Sequence, residues 1–583
     1  MTWRLTCAKA VVFCDTNLNY TYFGNIIMSY LHLFEQHEGT LNKALDAIRS
    51  RSFHAHWPEP PSGKIYGETA QEDGLQSFKS SINSVFTFPQ KGDSGIVGSE
   101  QSPYGFPLNI SYPAFSAEDL IANAQSALSE WKQFSVKERA GILIECLERA
   151  SKHFFQIGFS TMHTTGQGFI MAFQASGPHA FDRALESIAT GYMAIDAFAE
   201  SVQWTKPMGK MQVDLKKTFH VRPKGINLTI GCSTFPIWNS FPGMFASLIT
   251  GNVTIAKSHP SAILPIAICI QSFQETLVDL GVNPHVIQIA IDDASKPITL
   301  DLAQRSEITT VDYTGSSSFG NHLESVLQGT NTELFTEKAG VNCALIGEVE
   351  SLDAVLDNLA FSLSLYSGQM CTTPQNIYVP KDGVKTSEGI VSFDDVCVKL
   401  KEKVDALVFN EKMGPGTLGA LHSPAVQSRV EKAKSSGLAI IRDSASVQHQ
   451  GFDSAISCSP LILKAESADQ AILHEEWFGP ISFIIPVDSI QAGITAMSDS
   501  VKKHGALTTL LYLQSEELIS LAEEQLIDAG VHISFNLTGP IWVNQSAAFS
   551  DFHGAGANPA GNASFADLSF VSKRFNVIGI RKP

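Results

Sequence analysis

The sequence predicts an α/β protein built on doubly wound, mostly parallel sheets, and three observations carry that prediction. After Val221, short β-rich runs alternate with segments of helical length: INLTI (226–230), NVTIAK (252–257), VIQIA (286–290) and TTVDY (309–313). Strands spaced by helices connect through right-handed crossovers and lie parallel. A second alternating region runs from Cys343 to about Gly530, with no internal repeat. The 583 residues also exceed what one compact core holds, so two to four structural units are expected.

The elements follow in chain order. Residues 1–27 are mildly apolar from Ala8 to Cys14, too short a stretch for a signal peptide. They read as a non-native or unstructured leader, with Met28 as the natural start. MSYLHLFEQHEGTLNKALDAIRSR then reads as an amphipathic helix, and the Gly-, Ser- and Pro-rich stretch from Ser62 to Pro107 as an irregular arm, together 28–105. Ser116 with Asp119 and Ser135 with Glu138 fit the capping box, in which a hydroxyl and a carboxylate satisfy the free N–H groups of a helix start. Leu120, Ala124, Leu128 and Trp131 share one helical face and read as core. The tail run from Phe570 to Ile580 has the β-branched and aromatic content of an edge strand that needs a partner.

Composition removes several function classes. Lys plus Arg number 41 against 58 Asp plus Glu, a net charge of −17, whereas binding phosphate backbones or anionic membranes needs a concentrated positive field. No stretch approaches the ~20 apolar residues of a membrane helix. The nine cysteines are dispersed, with no C-x-x-C pair and no histidines at zinc-ligand spacing, so no metal is expected. Free thiols fit a reducing compartment, and a cytoplasmic location is the expectation.

Ligands of doubly wound sheets bind beyond the carboxyl ends of the strands. The run 309–313 leads into TGSSSFG, where Gly315 and Gly320 bracket the start of a helix near Ser317. Such a turn offers N–H groups and partial positive charge to a phosphate, although alone it is equally an ordinary strand-to-helix connection. In GQMCTTP, a glycine shortly before Cys371 leaves room for a substrate, and backbone N–H groups at a helix or loop start lower a thiol pKa. A lone cysteine is more often a buried small hydrophobe, which is the reading for the other eight. Glu337, 34 residues earlier, lies where the two alternating regions join. Alone it is a surface or salt-bridged glutamate; beside a thiol it is a base for the thiol or for a hydrolytic water.

Together these segments resemble the aldehyde dehydrogenase family over roughly Tyr112 to Ile580. SLYSGQMC resembles its cysteine motif, LFTEKAGVN its glutamate motif and HEEWFGPI (474–481) its E-x-F-G-P motif. YTGSSSFG (313–320) resembles its cofactor-phosphate turn and ITGNVTIAKSHPS (249–261) its lysine segment. Within the family, 162–186, 231–243, 368–380, 554–563 and the amino-terminal part from about Met28 resemble a branch that degrades phenylacetic acid. The resemblance implies a three-part fold: a doubly wound dinucleotide-binding domain (106–204 and 221–335), an α/β catalytic domain (336–546) and a small β oligomerisation element with the tail (205–220 and 547–583). It implies NAD or NADP as cofactor, a small-molecule aldehyde as substrate, with a CoA thioester in view, and a homodimer or larger homo-oligomer.

By the same resemblance Cys371 attacks the aldehyde and Glu337 activates water. Lys257 holds the adenosine ribose, Ser258 or His259 contacts a 2′-phosphate, Gly315, Ser316 and Gly320 face the pyrophosphate, and Glu476 and Phe478 position the nicotinamide ribose and ring. Three departures stand out. Thr234 takes the place of the oxyanion asparagine, with Asn239 expected to point elsewhere. Pro260 replaces a ribose-binding glutamate, which leans the expectation towards accepting NADP. Lys338 follows Glu337 where the family has leucine. A CoA-acylating dehydrogenase and a catalytically weak binding protein are the alternatives, and Glu337 favours hydrolysis over acyl transfer to CoA.

Overall fold

The computed structural model describes residues 29–338 and 340–583; the expected leader at 1–27 lies outside them. The chain opens with helices α1 (Leu31–Ser50), α2 (Ala70–Ser81), α3 (Ala117–Trp131), α4 (Val136–Ala150), α5 (Phe154–Thr165) and α6 (Pro178–Asp196). The two capping sites form as the sequence predicts. Ser116 accepts from the Asp119 N–H, and Ser135 and Glu138 make a reciprocal box, each cap worth about 1 kcal/mol. Leu120, Ala124 and Trp131 are buried on one face of α3, with Leu128 packed against the core's edge.

Five strands then form a parallel sheet: β3 (Ile226–Ile230), β4 (Val253–Lys257), β5 (Ile287–Ala290), β6 (Ile308–Gly315) and β7 (Glu333–Lys338), after the hairpin β1 (Ser201–Met208) and β2 (Met211–Pro223). Their order is β7-β6-β3-β4-β5, so the winding reverses at β3. Helices α7 (Phe241–Ile249), α8 (Leu264–Asp279) and α9 (Ser317–Leu327) cross between its strands. Glu337 pairs with Thr314 on β6, so β7 belongs to this first sheet and not to the catalytic half. The second sheet holds β8 (Cys343–Ile346), β9 (Asn376–Pro380), β10 (Ala439–Arg442), β11 (Leu461–Lys464), β12 (Ile481–Val487), β13 (Thr508–Tyr512) and β14 (His532–Phe535), ordered β10-β11-β12-β9-β8-β13-β14. Only β10 runs antiparallel to its neighbour. Near-continuous apolar strands such as VTIAK and CALI, buried at every position, are what sheets covered on both faces require.

Three expectations change. The arm is not irregular: α2 lies within it, and α1, Phe78 and Phe86 join the core that holds Trp131 and the first sheet. The glycine that made 70–81 read as loop is what docks it, because a Cβ on Gly74 meets Phe155 Cβ at 2.3 Å. Burying Leu33, Leu41, Leu45 and Ile48 of α1 contributes roughly 1.5–3 kcal/mol each. Second, the small β element spans 201–223, wider than 205–220, and pairs antiparallel with β15 (Phe575–Lys582) in the order β15-β2-β1. The strand in the tail starts at Phe575, because Leu568–Ser572 is a short helix capped by Asp567. Third, residues 547–566 lie outside this element and fold back against β7, where Gly561 bridges to Glu337.

Candidate active site

The loops after β3, β4, β5 and β6 carry Thr234 and Asn239, Ser258, Asp292 and Ser316, and Lys338 ends β7, all at the carboxyl ends of the first sheet. Facing them, Cys371 lies just before β9, at the amino end of the second sheet. Asn342, just before β8, donates from Nδ2 to the Cys371 carbonyl (2.7 Å) and the Thr373 carbonyl (3.2 Å), while its Oδ1 accepts from Leu507 and Thr508. One asparagine thus ties the cysteine loop to the sheet behind it.

The turn before Cys371 is strained. Tyr366, Ser367 and Gly368 hold φ values of 53°, 50° and 62°, consecutive left-handed residues that cost a non-glycine roughly 1–2 kcal/mol each. The surroundings impose it. Ser367 Oγ donates to the Leu418 carbonyl, Gln369 Nε2 donates to Tyr366 and Ala420, and Gln369 Oε1 accepts from the His422 N–H. A side chain at Gly368 is excluded, since its Cβ would sit 2.4 Å from the Gly479 carbonyl. Strain held this firmly beside a reactive group marks pre-organisation.

Cys371 faces two groups. His553 Nε2 lies 3.7 Å from its Sγ and 3.0 Å from Glu337 Oε1. The other oxygen of Glu337 accepts from Asn239 Nδ2 at 3.1 Å. Burial, first, and then the Glu337 charge push the Cys371 thiol well above its ordinary range, with Glu476 acting in the same direction. The thiol is therefore protonated at neutral pH and needs a base. This corrects two expectations. Asn239 points into the site because 231–240 is a turn and the helix starts only at Phe241. Thr234 is committed elsewhere: its hydroxyl faces Cys232 Sγ at 3.9 Å, and its carbonyl accepts from Gln167 Nε2 at 2.7 Å. Sequence reasoning missed His553, the one histidine in the Gly-rich stretch FHGAG, 182 residues from the cysteine. Cys146, Cys269, Cys343 and Cys397 are buried as expected, whereas Cys232 and Cys458 are half-buried.

The residues expected to meet the cofactor lie along the strand ends of the first sheet and in the loop before β12. Lys257 Nζ, nearly sealed, pairs with Asp292 Oδ1 and donates to the Ser258 carbonyl, each at 2.6 Å. Asp292, from the loop after β5, is thus the carboxylate beside Lys257. Ser316 caps α9 by accepting from the Phe319 N–H, and its exposed turn presents the helix start to the cleft. Lys338 reaches over Gly320 to bond Asn321 and pair with Glu324 at 2.8 Å, which ties β7 to α9. Burial pushes Glu476 up to about 8, against the pull of Arg429 and the Gly340 N–H. The Phe478 carbonyl accepts from Arg429 Nε, and its ring stands edge-on to His422. A capped helix start for phosphate, a carboxylate–lysine pair for ribose and a cleft ending at Cys371 fit a dinucleotide. The arm supports this end: buried Glu100 accepts from the Ile263 and Leu264 N–H groups at the start of α8, fixing the loop after Lys257.

A thiol, a histidine and a carboxylate brought together between two mostly parallel α/β sheets are the grouping of an enzyme active site. The model of the aldehyde dehydrogenase family matches residues 112–538. The solved structure of an NAD-dependent aldehyde dehydrogenase from Burkholderia multivorans is 42% identical with a TM-score of 0.92, over 94% of this chain and 98% of that one. The NADP-dependent glyceraldehyde-3-phosphate dehydrogenase of Streptococcus equinus is 25% identical over 440 residues, 73% of this chain and 84% of that protein. A 1-pyrroline-5-carboxylate dehydrogenase from Thermus, at 15% identity and a TM-score of 0.71 over 91% of this chain and 99% of that one, shares the fold. The chain belongs to the aldehyde dehydrogenase family, and its activity is NAD(P)-dependent oxidation of an aldehyde. Among the described residues, no helix is long and apolar enough to cross a membrane.

Proposed function

We propose that Cys371 is the nucleophile, that Glu337 activates the water releasing the product, and that the substrate is a ring-opened semialdehyde carried as a CoA thioester in phenylacetate catabolism. The observation that carries the hydrolytic reading is the Glu337 carboxylate, held against Cys371 by His553 and Asn239. The Cys371 sulfur adds to the aldehyde carbon, and the charge that develops on the aldehyde oxygen is met by the Cys371 N–H and the Asn239 amide, in place of Thr234. Bound cofactor supplies the hydride acceptor. Glu337 then takes a proton from the water that attacks the thioester, and the carboxylic acid leaves.

The substrate reading rests on resemblance to the phenylacetic acid degradation protein PaaN, and the fold supports it in one respect. Two of the segments that carry the resemblance touch each other, Gln167 Nε2 donating to the Thr234 carbonyl, and two reach Glu337, through Asn239 and through the bridge from Gly561. Lys257, Ser258 and Asp292 hold the adenosine ribose, Gly315, Ser316 and Gly320 the pyrophosphate, and Glu476 and Phe478 the nicotinamide end. Asp292 repels a 2′-phosphate, so NAD is preferred over NADP, in line with the Burkholderia multivorans relative. The sheet of β1, β2 and β15 exposes Val202, Met208, Met211, Ile578 and Ile580, which a second copy covers in a cytoplasmic homo-oligomer.

Reduced-cofactor absorbance tests the reading, with wild type and Cys371→Ala against aliphatic, aromatic and CoA-linked aldehydes, with and without free CoA. Turnover is expected with NAD, independent of free CoA, highest on the CoA-linked semialdehyde, and absent in Cys371→Ala. A requirement for free CoA overturns hydrolysis, and turnover surviving in Cys371→Ala overturns the nucleophile.

A further inference from the structure

His553 is the residue in the site that no motif predicts and that the chemistry above leaves without a role. We propose that His553 is the base that activates Cys371: Nε2 takes the thiol proton, and the imidazolium sits between the sulfur and the Glu337 carboxylate. The inference rests on Cys371 being the nucleophile and adds how its sulfur becomes reactive.

The ring is built into place. Trp238 stands edge-on to it with centroids 4.5 Å apart, and Phe565 lies parallel to it at 6.0 Å. The loop that delivers it is pinned by α6: buried Arg183 donates to the Asp551 carbonyl and to Ser546 Oγ, and Glu186 Oε1 accepts from the Phe549 N–H. These contacts leave Nε2 facing both Sγ, at 3.7 Å, and Glu337 Oε1, at 3.0 Å.

One ring nitrogen carries either a proton or a lone pair, so neutral His553 cannot donate to Glu337 and accept from the thiol at once. In the tautomer with its hydrogen on Nδ1, Nε2 offers its lone pair to the thiol proton. The imidazolium N–H then faces two anions, a thiolate and a carboxylate, and its charge offsets their mutual repulsion. Burial comes first among the influences that hold the Cys371 thiol up, followed by the Glu337 charge, a hydrogen bond to the Glu337 carboxylate, and the charges of Cys232 and Glu476. The remaining titratable or charged groups at this corner are Cys232, whose thiol burial also pushes up, Glu476, and Arg183, which lies on the Trp238 ring at 5.4 Å. None of them bonds to the sulfur. In the step itself the S–H bond breaks, the Nε2–H bond forms, and the freed sulfur pair adds to the aldehyde carbon. No oxidant or reductant is consumed.

The test is the rate at which iodoacetamide alkylates Cys371, followed by peptide mass from pH 5.5 to 9.5 in the full-length protein. Wild type, His553→Phe and His553→Gln are compared; Gln keeps a donor to Glu337 but is no base. Wild type is expected to reach a plateau near neutral pH. Both variants are expected to react about 30-fold or more slowly at pH 7, with a rate that climbs about tenfold per pH unit across that range. Melting curves and cofactor binding identify which variant is folded, and the folded one decides. Variants that keep the wild-type rate and plateau overturn the proposal, as does a wild type without a plateau. Those results leave the nucleophile standing if Cys371→Ala abolishes turnover; if Cys371→Ala remains active, the functional reading fails instead.

Discussion

The two ends of the cleft are built from the same parts, a carboxylate and a nitrogen base, and hold their protons in opposite ways. At the ribose end Lys257 and Asp292 make a nearly sealed pair 2.6 Å long. Burial lowers the Lys257 pKa, and the Asp292 carboxylate beside it pulls the other way, favouring the ammonium. At the nucleophile end Cys371, His553 and Glu337 meet in a row, 3.7 Å and 3.0 Å apart, so a proton can pass along it. A fixed charge serves recognition, and a movable proton serves chemistry. The identity of the nitrogen decides which of the two a carboxylate supports.

The strongest way to break this contrast is Glu337→Gln, which keeps the shape and one acceptor oxygen but cannot accept a proton from water. Steady-state turnover is expected to fall by about 10²–10⁴, the usual value of a general base. A burst of one reduced cofactor per site should survive in rapid-mixing experiments, because thioester formation precedes the hydrolysis that stalls. Loss of the burst along with turnover would place Glu337 in the first half-reaction instead.

At the ribose end, Asp292→Asn removes the charge and keeps a hydrogen-bond acceptor for Lys257. The ratio of kcat/KM for NADP over NAD is expected to rise roughly tenfold to a hundredfold, the worth of one like-charge contact of about 1–3 kcal/mol at moderate dielectric. Lys257 also loses its counterion, and breaking a buried pair costs up to about 3–5 kcal/mol, so the melting temperature should fall as well. An unchanged cofactor ratio would separate Asp292 from ribose recognition and leave it as a structural partner of the lysine.

The same contrast explains how much could be read in the sequence. Elements with strong local signals were legible: the strand INLTI lies where its residues predict, both helix caps form, and the turns at Gly315 and Cys371 stand at the cleft. Cys371 and Glu337 were legible because each lies in a motif of its own. His553 and Asp292 were not, because their roles exist only through partners elsewhere in the chain, His553 being 216 residues from the carboxylate it meets. Asn239 was missed for a local reason. It sits in the turn before a helix that starts only at Phe241, so a side chain expected to point elsewhere instead donates to Glu337. The amino-terminal arm was misread because its glycines signal loop by composition, while Gly74 serves the close approach of two helices.

Lys338 offers the smallest and most discriminating test, because it lies between the two ends and belongs to neither. Its ammonium pairs with Glu324, which is 42% exposed, and bonds Asn321, while its stem lies over Gly320. A pair this open to solvent is worth about 0–1 kcal/mol. Lys338→Leu keeps the apolar stem over Gly320 and gives up only that pair, so the melting temperature should move by about 2 °C or less. The KM for cofactor should stay within about twofold, since nothing in the geometry aims the ammonium at the exposed turn of Ser316. A rise in cofactor KM of tenfold or more would mean that Lys338 leaves Glu324 to meet the pyrophosphate. The fixed charge of the ribose end would then extend along the whole cofactor, and the boundary between recognition and chemistry would lie at Glu337 itself.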